Sequence, residues 1–219
     1  MPSTVHAHSP ITTLYVVRHG ETDYNAVGRF QGHIDRPLTA AGLAQADALA
    51  SRFRDLPLDV IYSSDLIRAR ATGEAVGSIK QLPVNCDERL RERHLGVLQG
   101  MSAATAREQC PDVWRSYKGR NPDYRIPDGE TRRECHVRIL EALEEIVHRH
   151  PGKAVLVTAH GGILDSIFRH VNHIPLDAHR RWRLWNAALN RFSHNSDGWR
   201  LDTWGDITHL AGSGCNDDY

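Results

Sequence analysis

Two histidines each follow directly after an apolar run. His19 comes after residues 14–17, and His160 comes shortly after residues 154–157. An apolar run without alternation predicts a strand that is buried on both faces, as in a parallel sheet. Because ligands bind beyond the carboxyl ends of such strands, we expect both imidazoles to face one crevice.

Two arginines are predicted to lie at the same edge. Arg18 precedes the first histidine, and Arg68 lies in the first turn of a helix that follows a short strand at residues 60–62. Gly161 opens a helix after the second histidine, so free backbone N–H groups and the positive end of the helix dipole would lie there. The guanidinium group of arginine can donate two parallel hydrogen bonds to the oxygens of a phosphate. The cluster therefore predicts a pocket for a compact, highly charged anion, and phosphate fits it.

Phosphoryl transfer depends on positioning and charge stabilisation, which this cluster would supply. The remaining requirement is a proton donor for the leaving oxygen. Glu92 is the candidate general acid, because it lies in a loop after a possible strand at residues 82–86.

The elements that must position these residues alternate between strands and helices, which predicts a largely parallel sheet. A hairpin is expected near the C-terminus, with strands at residues 189–194 and 199–203 around a four-residue turn. We predict an α/β fold: a three-layer sandwich, mostly parallel sheet flanked by helices, with a C-terminal hairpin. Residues 1–10 are predicted to be a flexible tail, and residues 11–219 a single domain.

Several helix boundaries can be placed from capping residues. Thr39 is the expected N-cap of a helix with Leu43 and Phe53 on its core face, and Thr131 begins a capping box with Glu134. Ser64 or Asp65 is expected to cap the helix that carries Arg68. Residues 91–129 are irregular, with one short helix predicted at residues 103–109.

Composition limits the function classes. Lys and Arg number 27 and Asp and Glu 27, so the net charge is zero and gives no field toward nucleic acid or an anionic membrane. The cysteines, four in number, form no C-x-x-C pair, which is typical of reduced thiols in a cytoplasmic protein. The N-terminus lacks the apolar region of a secretory signal, and no apolar run approaches the roughly 18 residues of a membrane span. A cytoplasmic location is expected.

The 14 histidines raise the question of a metal site. His6-x-His8 and His148-x-His150 have no carboxylate or cysteine at a useful offset, so solvated histidines are predicted, and neither a metal nor another cofactor. Residues 180–185 mix basic and aromatic side chains and could bind nucleic acid. The preferred interpretation is a helix that buries Trp182 and Trp185. The contact between the subunits of a homodimer is one place where such a helix could lie.

The motifs resemble the histidine phosphatase superfamily, which includes the cofactor-dependent phosphoglycerate mutases. Arg18-His19-Gly20-Glu21-Thr22 resembles the Arg-His-Gly motif of that family. The other matching segments follow in the family's order. They are Asn25 with Arg29-Phe30-Gln31-Gly32, Pro37-Leu38-Thr39-x-x-Gly42, Ser63-Ser64-Asp65-Leu66-x-Arg68-Ala69-x-x-Thr72, Leu90-x-Glu92-Arg93-His94-x-Gly96-x-Leu98-Gln99-Gly100, Pro127-x-Gly129-Glu130-Thr131 and Ala159-His160-Gly161-Gly162.

The resemblance implies a role for each matched residue. His19 would be the nucleophile that takes the phosphoryl group, and Glu92 would protonate the leaving group and then activate water. Two displacements through a phosphohistidine replace one slow direct hydrolysis. The phosphate-binding set that the resemblance implies is Arg18, Asn25, Gln31, Gly32, Arg68, His160 and Gly161. The partner would be a small-molecule phosphate ester.

Hydrolysis and isomerisation would use the same pocket. The mutases usually carry tyrosine, lysine and asparagine where this chain has Leu95, Ala103 and Gly162, and they have a longer insertion with paired arginines in place of residues 118–122. These departures remove groups that would retain a phosphoglycerate, so hydrolysis is the preferred interpretation. A mutase that depends on 2,3-bisphosphoglycerate is the alternative, and a non-catalytic phospho-ligand binder is a third.

Taken singly, these residues also have ordinary structural explanations. A histidine at a strand end is commonly a hydrogen-bonded polar residue, and Arg18 and Arg68 could each be surface ion-pair partners. Glu92 could pair with Arg91 or Arg93, which would contribute little energy. Their joint occurrence in family order favours catalysis.

Overall fold

Six strands form one mixed sheet in the structure, a computed structural model that describes residues 10–211. The predicted tail, apart from Pro10, lies outside the described residues. The strands are β1 (Thr12–Arg18), β2 (Val60–Ser63), β3 (Val84–Cys86), β4 (Ala154–Ala159), β5 (Leu189–Asn195) and β6 (Gly198–Asp206). Their order is β3-β2-β4-β1-β5-β6. The first four in that order run parallel, and β5 and β6 pair antiparallel.

The two apolar runs of the sequence become the neighbouring strands β1 and β4. Val17 lies opposite Thr158, and Arg18 lies opposite Ala159. Both strands therefore end at the same level, and the histidines that follow them lie side by side. This is the placement that two buried parallel strands predict.

Helices cover both faces of the sheet. They are α1 (Asp23–Ala26), α2 (Ala40–Arg52), α3 (Ile67–Lys80), α4 (Ala103–Gln109), α5 (Pro111–Lys118), α6 (Arg132–Arg149) and α7 (Gly161–Val171). Alternate side chains of β1 point to opposite faces. Leu14 and Val16 pack with α6 and α7, whereas Tyr15 and Val17 pack with α2 and α3. The predicted three-layer α/β sandwich is confirmed.

A third apolar cluster lies outside the two main layers. Phe30, Leu98 and Ile126 are buried there, and Trp114 and Tyr117 of α5 pack against them. Only α4 was predicted in this region, and α5, which has no buried residue, was missed. Together α4 and α5 form a wall beside the carboxyl edge of the sheet.

Helix starts follow the predicted caps in part. The Thr131 capping box is present, with the Glu134 backbone N–H donating to the Thr131 hydroxyl over 3.0 Å. The cap of α3 differs, because Leu66 is its N-cap and the Asp35 carboxylate accepts from the backbone N–H of Ile67. The prediction of Ser64 or Asp65 was therefore wrong by one or two residues, and a distant carboxylate supplies the cap.

Three other predictions are corrected. Leu43 is 53% exposed and is not core, because it lies on the outer side of α2. The hairpin has a two-residue turn, since Asn195 pairs directly with Gly198. Residues 180–185 form no helix; the ring of Trp182 is half-buried and stacks on Phe168 with 4.3 Å between centroids.

Within residues 10–211, none of the helices is both long and apolar enough to span a lipid bilayer.

Candidate active site

The two predicted histidines meet beyond the ends of β1 and β4. The backbone N–H of His19 donates to the carbonyl of Ala159 over 2.9 Å, which continues the pairing of the strands past their ends. The ring centroids of His19 and His160 are 5.2 Å apart. The sheet thus brings together two residues that are 141 positions apart in the chain.

The His19 ring is held in one tautomer. Its Nδ1 donates to the carbonyl of Gly20 over 2.7 Å, and its Nε2 accepts from Arg68 Nε over 3.2 Å. Burial lowers the pKa of His19 well below its usual range, and the adjacent Arg68 and Arg18 lower it further. The imidazole is therefore neutral near neutral pH, with the lone pair of Nε2 directed toward the cationic side of the site.

Arg68 is fixed by backbone carbonyls. Its Nη2 donates to Gly32 over 2.7 Å and its Nη1 to Ile34 over 3.0 Å, so the loop after α1 holds the guanidinium against His19. Arg18 is held in a similar way, with its Nη1 donating to the carbonyl of Leu184 over 2.6 Å. Both arginines are almost fully buried, which excludes the surface ion pairs that were the ordinary explanation for them.

His160 lies behind His19 and is fully buried. Its Nε2 is 2.9 Å from the hydroxyl of Ser64, and no hydrogen-bond partner among the described residues reaches its Nδ1. Burial, followed by Arg68 and His19, lowers its pKa well below the usual range. A buried polar atom without a partner is uncommon, so this nitrogen has unused capacity for a ligand.

A small cavity of about 30 Å³ lies over these groups. That volume suits one compact group such as a phosphoryl unit. The predicted Asn25, Gln31 and Gly32 line it, whereas His160 and Gly161 do not. The full lining is Arg18, His19, Asn25, Gly28, Arg29, Phe30, Gln31, Gly32, Arg68 and Glu92.

Glu92 lies on the wall of both this small cavity and a larger one of about 440 Å³. Its Oε2 accepts from the backbone N–H of Gly162 at the start of α7 over 3.0 Å, and its Oε1 accepts from its own neighbour, the N–H of Arg93, over 2.8 Å. Among the described residues it forms no ion pair with Arg91 or Arg93. Arg91 instead pairs with Asp65. The ordinary explanation of Glu92 as a salt-bridge partner is excluded.

The larger cavity has the size of a typical small-molecule site. Its wall includes Leu95, Ala103 and Gly162, the three positions at which the chain departs from the mutases. Gly161 also lies on this wall, and not on the wall of the small cavity where a phosphate-binding role would place it. The helix that begins at Gly161 therefore faces the larger cavity, and its second N–H is taken by Glu92.

Some residues of the site were missed by sequence reasoning. Asn186 is fully buried and its Nδ2 donates to the carbonyl of His19 over 2.7 Å. Gln99 accepts from the N–H of His33 over 2.7 Å and lies against Gly32, which has a left-handed φ of 55°. Gln99 stood in a matched motif and could have been found, whereas Asn186 lies in an irregular stretch that carries no signal.

The part of the chain that the structure describes has one group of three side chains that could hold a metal ion: Glu144, His148 and His194. The prediction that His148 has no carboxylate at a useful offset was wrong, because Glu144 lies one helical turn before it. His194 is paired with Thr12 at the start of β1, the end of the strand opposite to His19. This group is therefore outside the candidate active site.

Comparison with known proteins agrees with the geometry. The family model of the histidine phosphatase superfamily (branch 1) matches residues 14–207, which is most of the chain. The chain therefore belongs to this superfamily. The family and the class of enzyme predicted from the motifs, a phosphoric monoester hydrolase, are both confirmed.

Individual relatives cover nearly the whole chain. A metal-independent phosphoserine phosphatase of Arabidopsis thaliana is 35% identical over 96% of this chain and 88% of its own length. A probable phosphoglycerate mutase of Escherichia coli, GpmB, is 37% identical over 90% of this chain and 94% of its own length. Among solved structures, a mycobacterial glucosyl-3-phosphoglycerate phosphatase has a TM-score of 0.77 and 33% identity, and the match covers 89% of this chain and 98% of that one.

Proposed function

We propose that the protein hydrolyses small-molecule phosphate monoesters by transferring the phosphoryl group to His19, with Glu92 as general acid and base. The observation that carries this proposal is the position of Glu92 at the junction of the two cavities. An ester with its phosphoryl group in the small cavity and its leaving group in the large one would place the bridging oxygen near this carboxyl group.

The reaction has two steps. In the first, Nε2 of His19 forms a bond to phosphorus, the bond from phosphorus to the ester oxygen breaks, and Glu92 gives its proton to that oxygen. In the second, the Glu92 carboxylate takes a proton from water while the water oxygen attacks phosphorus. The bond between nitrogen and phosphorus then breaks and His19 is regenerated.

The surrounding groups support both transition states by charge. Arg18 and Arg68 lie on the wall of the small cavity, where they can neutralise the phosphoryl oxygens without a metal ion. Hydrogen bonds to backbone carbonyls hold both guanidiniums in place before the ligand arrives, which reduces the cost of reorganisation. We propose a binding role for Asn25, Gln31 and Gly32, which line the small cavity, and for His160 through its Nδ1, which has no hydrogen-bond partner among the described residues.

Phosphoglycerate mutase activity is the second candidate. The name of the Escherichia coli relative and the Glu92-Arg93-His94 motif favour it. The wall of the larger cavity argues against it, because Leu95 and Ala103 have apolar side chains there and Gly162 has no side chain. A mutase must retain its phosphorylated intermediate, and water has easier access when such groups are missing. Hydrolysis is the function that this cavity supports better.

The remaining proposals concern location and partners. We propose a cytoplasmic location, supported by the free thiols of Cys86, Cys110 and Cys135. We propose a small phosphate ester as the partner and neither nucleic acid nor a membrane, because a net charge of zero gives no attraction to either. A homodimer stays a prediction.

The experiment compares wild type with His19→Ala on p-nitrophenyl phosphate in the presence of EDTA. We expect wild type to turn over and His19→Ala to lose at least a thousandfold in kcat. A rapid-quench sample of wild type with ³²P-labelled ester should contain acid-labile, alkali-stable label on His19. Equal turnover by the two proteins would overturn the proposal. Conversion of 3-phosphoglycerate to its 2-isomer, stimulated by 2,3-bisphosphoglycerate, would favour the mutase.

A further inference from the structure

The group of Glu144, His148 and His194 lies at the opposite end of the sheet from the candidate active site. Glu144 and His148 belong to α6, and His194 belongs to β5. His194 pairs with Thr12, the first residue of β1, whereas His19 follows the last residue of that strand. The length of β1 therefore separates the two places by roughly 20 Å. At that distance the group cannot touch the reacting atoms.

The periods of the strand and of the helix explain why the three side chains meet. His194 is two residues from the core residue Phe192 on β5, so both side chains point to the face of the sheet that α6 covers. Glu144 and His148 are four residues apart, so they lie above one another on one side of α6. The rings of His148 and His194 are 5.3 Å apart between centroids. Two layers of the fold thus contribute to one cluster.

The carboxylate of Glu144 lies close to both imidazoles. Its Oε2 is 3.6 Å from Nδ1 of His148 and 3.6 Å from Nε2 of His194. One ligand atom from each residue lies within 4.8 Å of the other two. In a tetrahedral site with metal–ligand bonds of about 2.0–2.1 Å, the ligand atoms are about 3.4 Å apart. Small side-chain rotations would therefore bring all three atoms within bonding distance of one ion.

A neighbouring tryptophan orients the carboxylate. Nε1 of Trp199 on β6 donates to Oε1 of Glu144 over 2.5 Å, which leaves Oε2 beside the imidazoles. The ring of Trp199 also packs against His194, with 4.7 Å between the centroids. Hydrogen bonds of this kind hold the ligands of metal sites in their binding orientation. The cluster therefore has a supporting residue in addition to its three candidate ligands.

The charge of Glu144 is not balanced by a permanent cation. Within residues 10–211, its ion-pair partners are the two imidazoles, whereas the adjacent Glu145 pairs with Arg89 and Arg149. Burial lowers the pKa of His194, so its ring is neutral near neutral pH and can offer a lone pair. A divalent ion would supply the positive charge that neutral imidazoles do not.

His148 is the most exposed member of the cluster. Its side chain is 70% exposed, and its Nδ1 donates to the backbone carbonyl of Glu144 over 2.7 Å. Binding through Nδ1 requires the proton to move to Nε2, a change of tautomer that an exposed ring can make through water. The carbonyl keeps its helical hydrogen bond after that change. The same exposure admits water as a further ligand.

We propose that Glu144, His148 and His194 bind one divalent transition-metal ion of the Zn²⁺ type, which links α6 to the hairpin of β5 and β6. Two imidazoles and one carboxylate suit such ions, whereas Mg²⁺ and Ca²⁺ prefer oxygen ligands. The role of the ion is structural, because the site is far from His19. This inference does not depend on the proposed function, whose chemistry needs no metal.

The experiment titrates Zn²⁺ into the full chain, prepared without a polyhistidine tag, by isothermal titration calorimetry. We expect wild type to bind Zn²⁺ in the micromolar range or more tightly, and an excess of Mg²⁺ not to compete. His148→Gln and His194→Gln each remove a ligand and should weaken this binding at least about a hundredfold. Trp199→Phe removes only the hydrogen bond to Glu144 and should weaken it about tenfold.

Two controls separate this site from the other histidines. His170→Gln removes an exposed imidazole of α7 that does not belong to the cluster. The double variant His6→Gln/His8→Gln removes the other His-x-His pair of the sequence. Both variants should bind Zn²⁺ as tightly as wild type.

A second measurement tests the link between α6 and the hairpin. Saturating Zn²⁺ should raise the urea midpoint of wild type, because an ion that binds the folded state stabilises it by mass action. Hydrogen exchange in the last turn of α6 and in the β5–β6 hairpin should become slower. His194→Gln should show neither effect.

Three results would overturn the inference. The first is the absence of Zn²⁺ binding by wild type, which needs no variant and so decides the question even if a substitution prevents folding. The second is tight binding that survives both His148→Gln and His194→Gln, because the ion would then lie elsewhere. The third is a urea midpoint of wild type that saturating Zn²⁺ leaves unchanged, which would exclude the structural role.

Discussion

The carboxylate of Glu92 is positioned by the absence of a side chain at residue 162. The N–H of Gly162 donates to Oε2, and a Cβ built on this glycine would lie 2.1 Å from Oε1. Such a distance is far inside van der Waals contact. Any side chain here would therefore move the proposed acid and leave the sheet and helix behind it intact, because the atom that must shift is the far end of a flexible side chain.

Gly162→Ala should therefore lower kcat at least tenfold while changing the free energy of unfolding by less than about 1 kcal/mol. Steady-state kinetics on p-nitrophenyl phosphate and urea unfolding measure the two effects. In a Glu92→Gln background the same substitution should have little further effect on kcat, since both changes act on one group. Full additivity of the two changes would contradict this account.

At the scale of single residues, the position of a side chain can be predicted from the sequence where it depends on the end of a strand. Arg18 ends one buried strand, and His19 and His160 each follow one, so their proximity could be expected from the apolar runs alone. Arg120 and Arg132 both line the larger cavity, and their proximity could not be predicted from the sequence. Their proximity depends on how α5 packs against the start of α6, and nothing in the local sequence records that contact.

At the scale of elements, α6 depends on its first turn. Thr131 caps the helix, and the backbone N–H of Thr131 donates to the Glu134 carboxylate over 3.0 Å. The helix supplies Ile139, Leu143 and Ile146 to the core beneath the sheet. Its first residue, Arg132, lines the larger cavity. The cap therefore contributes both to stability and to the position of that part of the cavity wall.

Thr131→Ala should destabilise the protein by about 1 kcal/mol, because the backbone N–H of Glu134 at the start of the helix loses its acceptor, the Thr131 hydroxyl. The midpoint of urea unfolding measures this. Thr131→Ser keeps the hydroxyl group and is the control, with an expected change of a few tenths of a kcal/mol. If both variants unfold at the same urea concentration as wild type, the capping box contributes nothing measurable.

Elements were predicted well where one periodicity dominates and poorly where tertiary packing decides. The strands β1 and β4 and the helices α2, α6 and α7 all carry a clear apolar pattern. In contrast, α5 is short, and its aromatic side chains pack against a satellite cluster. Residues 180–185 contain two tryptophans at helical spacing, but a stack on Phe168 and the Arg169 guanidinium holds Trp182 without a helix.

At the scale of the whole molecule, burial keeps many histidines neutral. Desolvation is the largest cause of a lowered pKa for each of them. These histidines are His19, His33, His136, His150, His160, His194 and His209. In the unfolded chain each would titrate at about 6.5, so below that pH the unfolded state binds more protons than the native state.

The free energy of unfolding should therefore decrease as the pH falls from about 7.5 to 5.5, by up to about 1.4 kcal/mol per pH unit for each fully buried histidine. Urea unfolding at a series of pH values measures it. The decrease should begin well above the window near pH 4 in which carboxylates with a lowered pKa, such as Asp65, lose their stabilisation. A free energy that stays constant down to pH 5.5 would show that these histidines become protonated in the native state.

The size of the small cavity over His19 limits the kind of phosphate ester that can react. A cavity of about 30 Å³ favours a terminal PO₃ unit over a phosphorus atom that carries two bulky groups. Its wall shares Gly28, Phe30 and Glu92 with the larger cavity. We therefore expect phosphodiesters, in which phosphorus joins two bulky groups as in a polynucleotide backbone, to be poor substrates for steric reasons and not because of their charge.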